Sequence, residues 1–249
     1  MSDFNRGFSS IPAGRADMAV DAGLRAFMLG VYNKVALGLL VSAALAYVTG
    51  SVPEVRDMMF RVTPEGRFAG YTPVGTIVTF LPIAMLFGSM FIQRARTAQG
   101  SGILYWGVVA AIGASLGVNV LLYTGASIAT TFLITSAAFG ALSLAGYTTK
   151  KDLTGFGSFL IIGLFGLIIA SLVNIFLHSA AMAFIVNVLG VFIFAGLIAY
   201  DTQRLKIMYY QLGGDQAALG AATNYGALNL YINFINLFQF LMGFLGNRR

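Results

Sequence analysis

The fold is decided by an apolar run near the end of the chain, at residues 180–204, which reads AAMAFIVNVLGVFIFAGLIAYDTQR. The part before Asp201 is 21 residues long and carries no charged side chain, which is enough to cross the hydrocarbon core of a bilayer as a helix. Asp201 is the only acidic residue inside or next to any long hydrophobic run. An ionisable group at membrane depth is costly, so Asp201 is a candidate functional residue.

Composition extends this interpretation to the whole chain. Of its 249 residues, 58% are hydrophobic and 10% are charged, whereas a typical soluble domain has roughly 25% charged residues. The chain contains 30 glycines, and its mean hydropathy is +0.82. A soluble fold of this length has too little interior to bury so much apolar surface. We therefore predict a protein that crosses a membrane several times.

Seven runs have the length of a transmembrane helix, about 20 apolar residues. They are residues 27–49, 73–91, 102–123, 126–147, 155–177, 180–200 and 225–245. We predict an all-α integral membrane protein, with a seven-transmembrane-helix bundle as its one domain (27–249) after a polar N-terminal segment (1–26). The two long connections are 50–72, which we expect to be an ordered loop outside the membrane, and 201–224.

The distribution of basic residues predicts the orientation of the bundle. Nine Lys and Arg residues lie on the side of the N-terminus and the even-numbered connections, against five on the other side. By the positive-inside rule, the N-terminus is cytoplasmic and the C-terminus is external. The first 25 residues do not resemble a signal peptide, so the first helix would act as the insertion signal. The net charge of +6 is scattered between apolar runs, which argues against a nucleic-acid partner.

Residue content excludes most classes of enzyme and metal site. The chain has no cysteine, which excludes disulfides and thiolate metal sites. Its single histidine, His178, excludes sites built from several histidines and lies at the edge of a predicted helix. No HExxH motif is present. We therefore expect no catalytic residues and no resident cofactor.

The last apolar run carries a stripe of amide side chains. At 100° per residue, Asn229, Asn233, Asn236 and Gln239 fall within an arc of about 120°, with Tyr225 on the same side. A helix with a polar stripe among six more apolar helices is expected at the centre, with its stripe facing other helices. The amides then either join helices by hydrogen bonds or line a cavity. The sequence leaves both alternatives open.

Asp201 has three possible roles. As an interfacial residue it would cap the sixth helix and pair with Arg204 three residues later, and the polar run from Gln203 to Lys206, which looks hydrated, favours this. As a buried residue it would lose hydration, which favours the protonated carboxyl group. As an ion ligand it would offer oxygen to a hard cation such as calcium, with amide oxygens and water completing the shell.

Small residues recur at a spacing of four along several predicted helices. This spacing places them on one helix face and lets two backbones approach closely, so it predicts a tightly packed bundle. The sets are Gly38, Ser42 and Ala46; Gly113 and Gly117; Gly166 and Ala170; and Ala195 and Ala199.

Three stretches together resemble the Bax inhibitor-1 family. They read RAFMLGVY at residues 25–32, TKKDLTGFGSFL at 149–160, and YDTQ at 200–203 followed by LYINFINLF at 230–238. The similarity extends over essentially all seven predicted helices. It implies a bundle with a central, short seventh helix, placed by analogy with bacterial members in the plasma (inner) membrane.

The resemblance also implies a function. Prokaryotic and organelle members are described as pH-sensitive calcium leaks, in which an aspartate ending the sixth helix shares a proton with one on the seventh. An arginine at the cytoplasmic end of the second helix latches the first aspartate. Other members are described as cell-death suppressors, or as modulators of a membrane-anchored AAA+ protease. The implied partners are therefore the lipid bilayer, transient calcium or other cations, and such a protease.

The matching motifs assign these roles to residues of the present chain, and one residue differs from the family pattern. Asp201 matches the first aspartate, but Asn233 occupies the position of the second, and an amide neither titrates nor carries charge. The latch would be Arg94 or Arg96. We expect a pH-modulated calcium leak that is gated around the single carboxylate of Asp201. The alternative is a non-conducting membrane protein that restrains a protease or a stress or cell-death effector.

Overall fold

The computed structural model describes residues 13–249, with side chains at 22–94 and 97–249. The first 12 residues of the polar segment (1–26) lie outside this range, and α1 passes residue 27 without a break. The described residues form nine α-helices, one short 3₁₀-helix (Gln93–Arg96) and one two-stranded hairpin. These are α1 (Ala13–Ser51), α2 (Pro53–Met59), β1 (Phe60–Val62), β2 (Phe68–Tyr71), α3 (Pro73–Phe91), α4 (Ala98–Ser115), α5 (Gly117–Leu122), α6 (Gly125–Thr148), α7 (Thr154–Leu177), α8 (Ala180–Gln211) and α9 (Gln216–Leu245).

Seven segments of the described chain are long and apolar enough to cross a membrane. Six are α1 from Ala22 onward, α3, α6, α7, α8 and α9, and the remaining one joins α4 to α5. The helical, seven-span architecture predicted from the sequence is thus confirmed. The third span is interrupted at Leu116, where the amide of Asn119 donates to the Leu116 carbonyl at 2.9 Å in a tighter turn.

Helix α9 is the centre of the bundle, as predicted. It packs against α1, α4, α6 and α8, while α3 lies outside α4 and α7 lies outside α8. Leu230, Tyr231 and Phe234 of α9 are almost completely buried. By contrast, Phe91 of α3 and Phe176 of α7 are 86% and 83% exposed, which suits the lipid-facing surface of a membrane bundle.

Both helices that flank the predicted connection 201–224 are longer than predicted. Helix α8 continues to Gln211 and α9 begins at Gln216, so only residues 212–215 form the turn. The Asp215 carboxylate accepts hydrogen bonds from the amides of Ala217 and Ala218, which starts α9 at this point. The short seventh helix that the resemblance implied is therefore wrong, because α9 has 30 residues.

The connection after α1 is ordered, as predicted. It contains α2 and the antiparallel pair of β1 with β2. Phe60, Phe68 and Tyr71 pack their rings together at centroid distances of 5.2–6.1 Å. This small apolar cluster packs against Val118 and Leu121 of α5, which anchors the segment to the bundle.

Small residues allow close helix contacts at the predicted positions on α1, α4 and α8. A Cβ at Gly113 would lie 2.7 Å from the Cα of Ser42 in α1, and at Gly146 a Cβ would overlap the backbone of Ala199 in α8. The exception is Gly166, which is exposed and faces open space. Most of these glycines therefore serve helix packing rather than flexibility.

We predict that Gly146→Leu destabilises the protein by about 1–3 kcal/mol, because the new side chain separates α6 from the α8 backbone. The measurement is thermal unfolding of the purified protein in detergent. Gly140→Leu is the matched control, since Gly140 lies on the same helix and a Cβ there meets nothing within 4 Å. Equal unfolding temperatures for the two variants would contradict the close contact.

Candidate functional site

The structure brings Asp201 of α8 together with Asn233 of α9. Asn233 Nδ2 donates a hydrogen bond to Asp201 Oδ2 at 2.7 Å. Asn233 is 6% exposed, and Asp201 is half-buried. The two helices approach closely here because Leu205 of α8 packs onto Gly226 of α9, where any Cβ would clash. The pairing inferred from the sequence motifs is therefore present as a direct contact.

A cavity of about 310 Å³ adjoins this pair at the end of the bundle that we predict to be cytoplasmic. It is formed by residues of α8 and α9 only. They are Asp201, Arg204, Leu205, Met208, Ala222, Tyr225, Gly226 and Asn229. The carboxylate of Asp201, the guanidinium of Arg204 and the amide of Asn229 thus line one small cavity next to the Asp201–Asn233 hydrogen bond.

The ion pair expected between Asp201 and Arg204 is not formed. Among the side chains that the structure describes, the only ion pair joins Arg56 and Asp57 outside the membrane. Asp201 directs its carboxylate toward α9, where Asn233 binds it, whereas Arg204 is exposed. The two side chains line the same cavity without forming a salt bridge.

The run after Asp201 is only partly exposed, and it continues α8, so Asp201 does not cap the helix. Thr202 and Gln203 are buried. The Gln203 side chain accepts from the amide of Leu153 at 2.8 Å and donates to the carbonyl of Lys151 at 2.7 Å. Lys206 Nζ donates to the Tyr147 carbonyl at 3.0 Å. Because α8 continues past Asp201, Gln203 binds the α6–α7 connection and Lys206 binds the end of α6.

The two latch candidates on the α3–α4 connection do not engage Asp201. Arg94 is exposed and lines a different cavity, between α3 and α4. It makes no ion pair with any carboxylate in the described part of the chain. The side chain of Arg96 lies outside the described residues. The structure therefore shows Asp201 bonded to an amide, with no arginine latched to it in the part that is described.

The polar stripe of α9 faces other helices only in part, and its members have different environments. Asn229 is exposed beside the cavity, and Asn236 Nδ2 donates to its own helix at the Ile232 carbonyl. Gln239 is exposed but accepts from Asn119 Nδ2 of α5 at 2.9 Å. The four amides are spread over an arc of about 120° around the helix. Such an arc is wider than the contact with one neighbouring helix, so the amides at its two ends contact different partners.

Two further polar contacts of α9 escaped the sequence analysis. Tyr231 is fully buried, and its hydroxyl lies 2.6 Å from Ser42 Oγ of α1. Asn224, placed by the sequence in a connection, donates to the Ala98 carbonyl and to Ser101 Oγ of α4 at 2.7 and 3.0 Å. Asn224 and Tyr231 are seven residues apart and so share a helix face, but Asn224 was assigned to a connection, and this spacing was therefore not recognised.

The chemistry that this site can support is limited to a single acid. Within the described residues, no three His, Asp or Glu side chains converge to hold a metal ion. One carboxylate with neighbouring amide oxygens and water suits a passing hard cation, because stable calcium sites use six to eight oxygen ligands.

Comparisons with known proteins agree on one family. A family model described as "Inhibitor of apoptosis-promoting Bax1" matches residues 24–249. The chain is 63% identical over 250 residues to an uncharacterized protein of Caulobacter vibrioides, covering all of both chains. It is 47% identical over 229 residues to an uncharacterized protein of Rickettsia prowazekii, covering 92% of each. It is 40% identical over 238 residues to inner membrane protein YbhL of Escherichia coli, covering 94% of this chain and 98% of that one.

We predict that Gln203→Leu loosens the α6–α7 connection. The substitution removes both hydrogen bonds to the backbone of residues 151 and 153 at similar volume, at a cost of about 1–3 kcal/mol. Tryptic cleavage at Lys150 and Lys151 is the measurement, and it should become faster because the segment opens more often. Gln211→Leu, at the exposed end of the same helix, should leave the cleavage rate unchanged.

Proposed function

The chain belongs to the Bax inhibitor-1 family of membrane proteins, and we propose that it is a cation leak of the bacterial inner membrane, controlled at Asp201. Its Escherichia coli relative is named an inner membrane protein. The surplus of Lys and Arg on the N-terminal side supports a cytoplasmic N-terminus. In this orientation the Asp201 cavity opens toward the cytoplasm.

The observation that carries the proposal is the contact between Asp201 and Asn233. A half-buried carboxylate stands beside a cavity, and its partner is a neutral amide that leaves its negative charge uncancelled. A cation that enters the cavity would therefore meet one acidic oxygen. Calcium is the proposed cation, held only in passing, and the proposal involves no catalysis and no resident cofactor.

Control by pH would come from the protonation of one carboxyl group. The ionisable neighbours of Asp201 are Arg204 on its own helix and Tyr225 on α9, which line the same cavity. From α1, the Tyr32 hydroxyl approaches Thr202 at 3.4 Å. Protonation of Asp201 removes the charge that attracts the cation, so the leak would diminish as the pH falls.

A second candidate function is a non-conducting membrane protein that restrains a partner, such as a membrane-anchored AAA+ protease or a stress effector. One observation favours it: several amides are bonded inside the protein rather than facing a continuous aqueous path. Asn224 binds α4, Asn119 binds Gln239, and Asn236 binds its own helix. Such contacts hold helices together and need no permeating ion.

We predict that Asp201→Asn abolishes calcium flux and its pH dependence in reconstituted liposomes. The amide has nearly the same shape and can still bond to Asn233, so the substitution removes the charge and retains the packing. Calcium entry is followed with an entrapped dye between about pH 5 and pH 8. Over this range an unperturbed His titrates, whereas unperturbed Asp and Glu side chains stay largely ionised. Flux of the unsubstituted protein equal to that of empty liposomes at every pH would overturn the leak.

The control for this experiment is Asp152→Asn. Asp152 lies outside the membrane, where hydrogen bonds from Thr154 hold the pKa of its carboxyl group below the usual range. It therefore stays ionised throughout the assay, and its replacement removes one acidic charge without touching the cavity. Equal losses of flux in the two variants would assign the effect to overall charge instead of to Asp201.

We predict that Asn233→Asp makes the pH response steeper or shifts it. Two facing carboxylates at hydrogen-bond distance cannot both remain ionised, so they share a proton and titrate as a unit. The measurement is the same flux assay over the same pH range. A profile identical to that of the unsubstituted protein would show that residue 233 does not influence the gate.

The two candidate functions are separated by a joint result. If the protein carries no flux at any pH, and a captured membrane-protease partner stays bound to Asp201→Ala, the interaction role replaces the leak.

A further inference from the structure

A second cavity lies at the opposite end of the bundle from Asp201. It has a volume of about 440 Å³ and is enclosed by α1, α5, α6 and α9. Its walls are mainly apolar and include Leu39, Ala43, Tyr47, Ala129, Phe132 and Phe238. The Asp201–Asn233 site uses none of these residues, so this cavity needs a separate explanation.

Two polar side chains deep in its walls are already hydrogen-bonded. Ser42 Oγ lies 2.6 Å from the Tyr231 hydroxyl, and Asn119 Nδ2 donates to Gln239 at 2.9 Å. A water molecule inside a protein needs two to four polar partners. The cavity therefore suits an apolar occupant better than water.

The cavity is open sideways to the medium around the bundle. Ala43 and Tyr47 of α1 and Ala129 of α6 line the cavity, and all three are also exposed. Around a bundle of seven membrane-spanning helices this medium is lipid acyl chains. An empty apolar void would forfeit dispersion contacts on all its walls, so an acyl chain is the occupant that the surroundings supply.

The depth of the cavity matches one leaflet. Along α1 its lining runs from Ser51 to Leu39, twelve residues apart, which is about 18 Å at the helical rise. This is roughly half of a 30 Å hydrocarbon core. The cavity thus begins near the membrane surface and ends close to the midplane.

A basic residue lies at the mouth of the cavity. Arg249 lines it, and the backbone of the last residues is bound to the junction of α5 and α6: Thr124 donates to the Asn247 carbonyl at 3.1 Å, and the Arg249 amide to the Leu122 carbonyl at 3.0 Å. No acidic side chain is among the described residues of the lining. A guanidinium held at the membrane surface is suited to bind a phosphate group.

We propose that this cavity binds one acyl chain of an anionic phospholipid from the adjacent leaflet, with the lipid phosphate at Arg249. Bulk lipid tails are as apolar as the cavity walls, so burying the chain alone gives little preference for one lipid. Selectivity for the headgroup therefore comes from the charge of Arg249. This site would be occupied whether or not the protein conducts ions.

The experiment uses the full chain in liposomes with a phosphatidylglycerol that carries a photoreactive diazirine in its acyl chain. We expect cross-links to peptides covering residues 39–51 and 125–132, about ten-fold stronger than with the matching phosphatidylcholine, the value of one charge-assisted contact. Arg249→Gln should reduce labelling by phosphatidylglycerol to the level of phosphatidylcholine.

Two matched variants test the cavity itself. Ala43→Phe fills it and should abolish the cross-links, whereas Ala44→Phe, at an exposed neighbour outside the lining, should retain them. If Ala43→Phe does not fold, Ala129→Phe with Ala137→Phe as its control is judged by the same criterion. Equal labelling by the two lipids, or equal labelling of a filled variant and its control, overturns the proposal. Displacement of phosphatidylglycerol by an equal amount of free lauric acid also overturns it, in favour of a site for fatty-acid anions.

Discussion

Every polar group at membrane depth must find its hydrogen-bond partner inside the protein, because the bilayer core offers no water. Helix α9 makes such polar contacts with three neighbours in turn. Asn224 binds α4, Tyr231 contacts Ser42 of α1, and Asn233 binds Asp201 of α8. Toward α6 the contact is aromatic, with Phe234 packed against Phe132 and Phe139. The central helix is thus fixed to each neighbour by a specific interaction as well as by apolar packing.

The same contacts bear on both candidate functions. A leak requires that water and a cation replace some of these hydrogen bonds, and the bond beside the 310 Å³ cavity is the most accessible of them. The Ser42–Tyr231 contact is less accessible, since both residues are buried, and on one side it borders the 440 Å³ cavity. The gate that we propose near Asp201 would therefore leave the far half of the bundle, with the proposed acyl-chain site, unchanged.

Much of this architecture could be predicted from the sequence, because hydropathy reports directly on the transfer of side chains into lipid. Hydropathy predicted the number of spans, and the polar stripe predicted the central position of α9. The motifs predicted the pairing of Asp201 with Asn233. Hydropathy does not show where a helix ends once it has left the apolar core. The sequence analysis therefore missed that α8 continues to Gln211 and that α9 already begins at Gln216. The sequence also did not predict the direction in which the Asp201 side chain points. Arg204 is correctly spaced to pair with Asp201, yet the carboxylate turns toward α9.

The uninterrupted length of α8 has a mechanical consequence. Its 32 residues span about 48 Å at the helical rise, against a hydrocarbon core of about 30 Å, with Asp201 ten residues before its end. A hydrogen-bonded helix of this kind behaves as a stiff rod. A tilt that begins where Asp201 meets α9 is therefore carried along the rod to the turn at residues 212–215 and to the tether at Gln203. A soluble factor that binds this end of α8 would therefore act on the Asp201–Asn233 contact without entering the membrane.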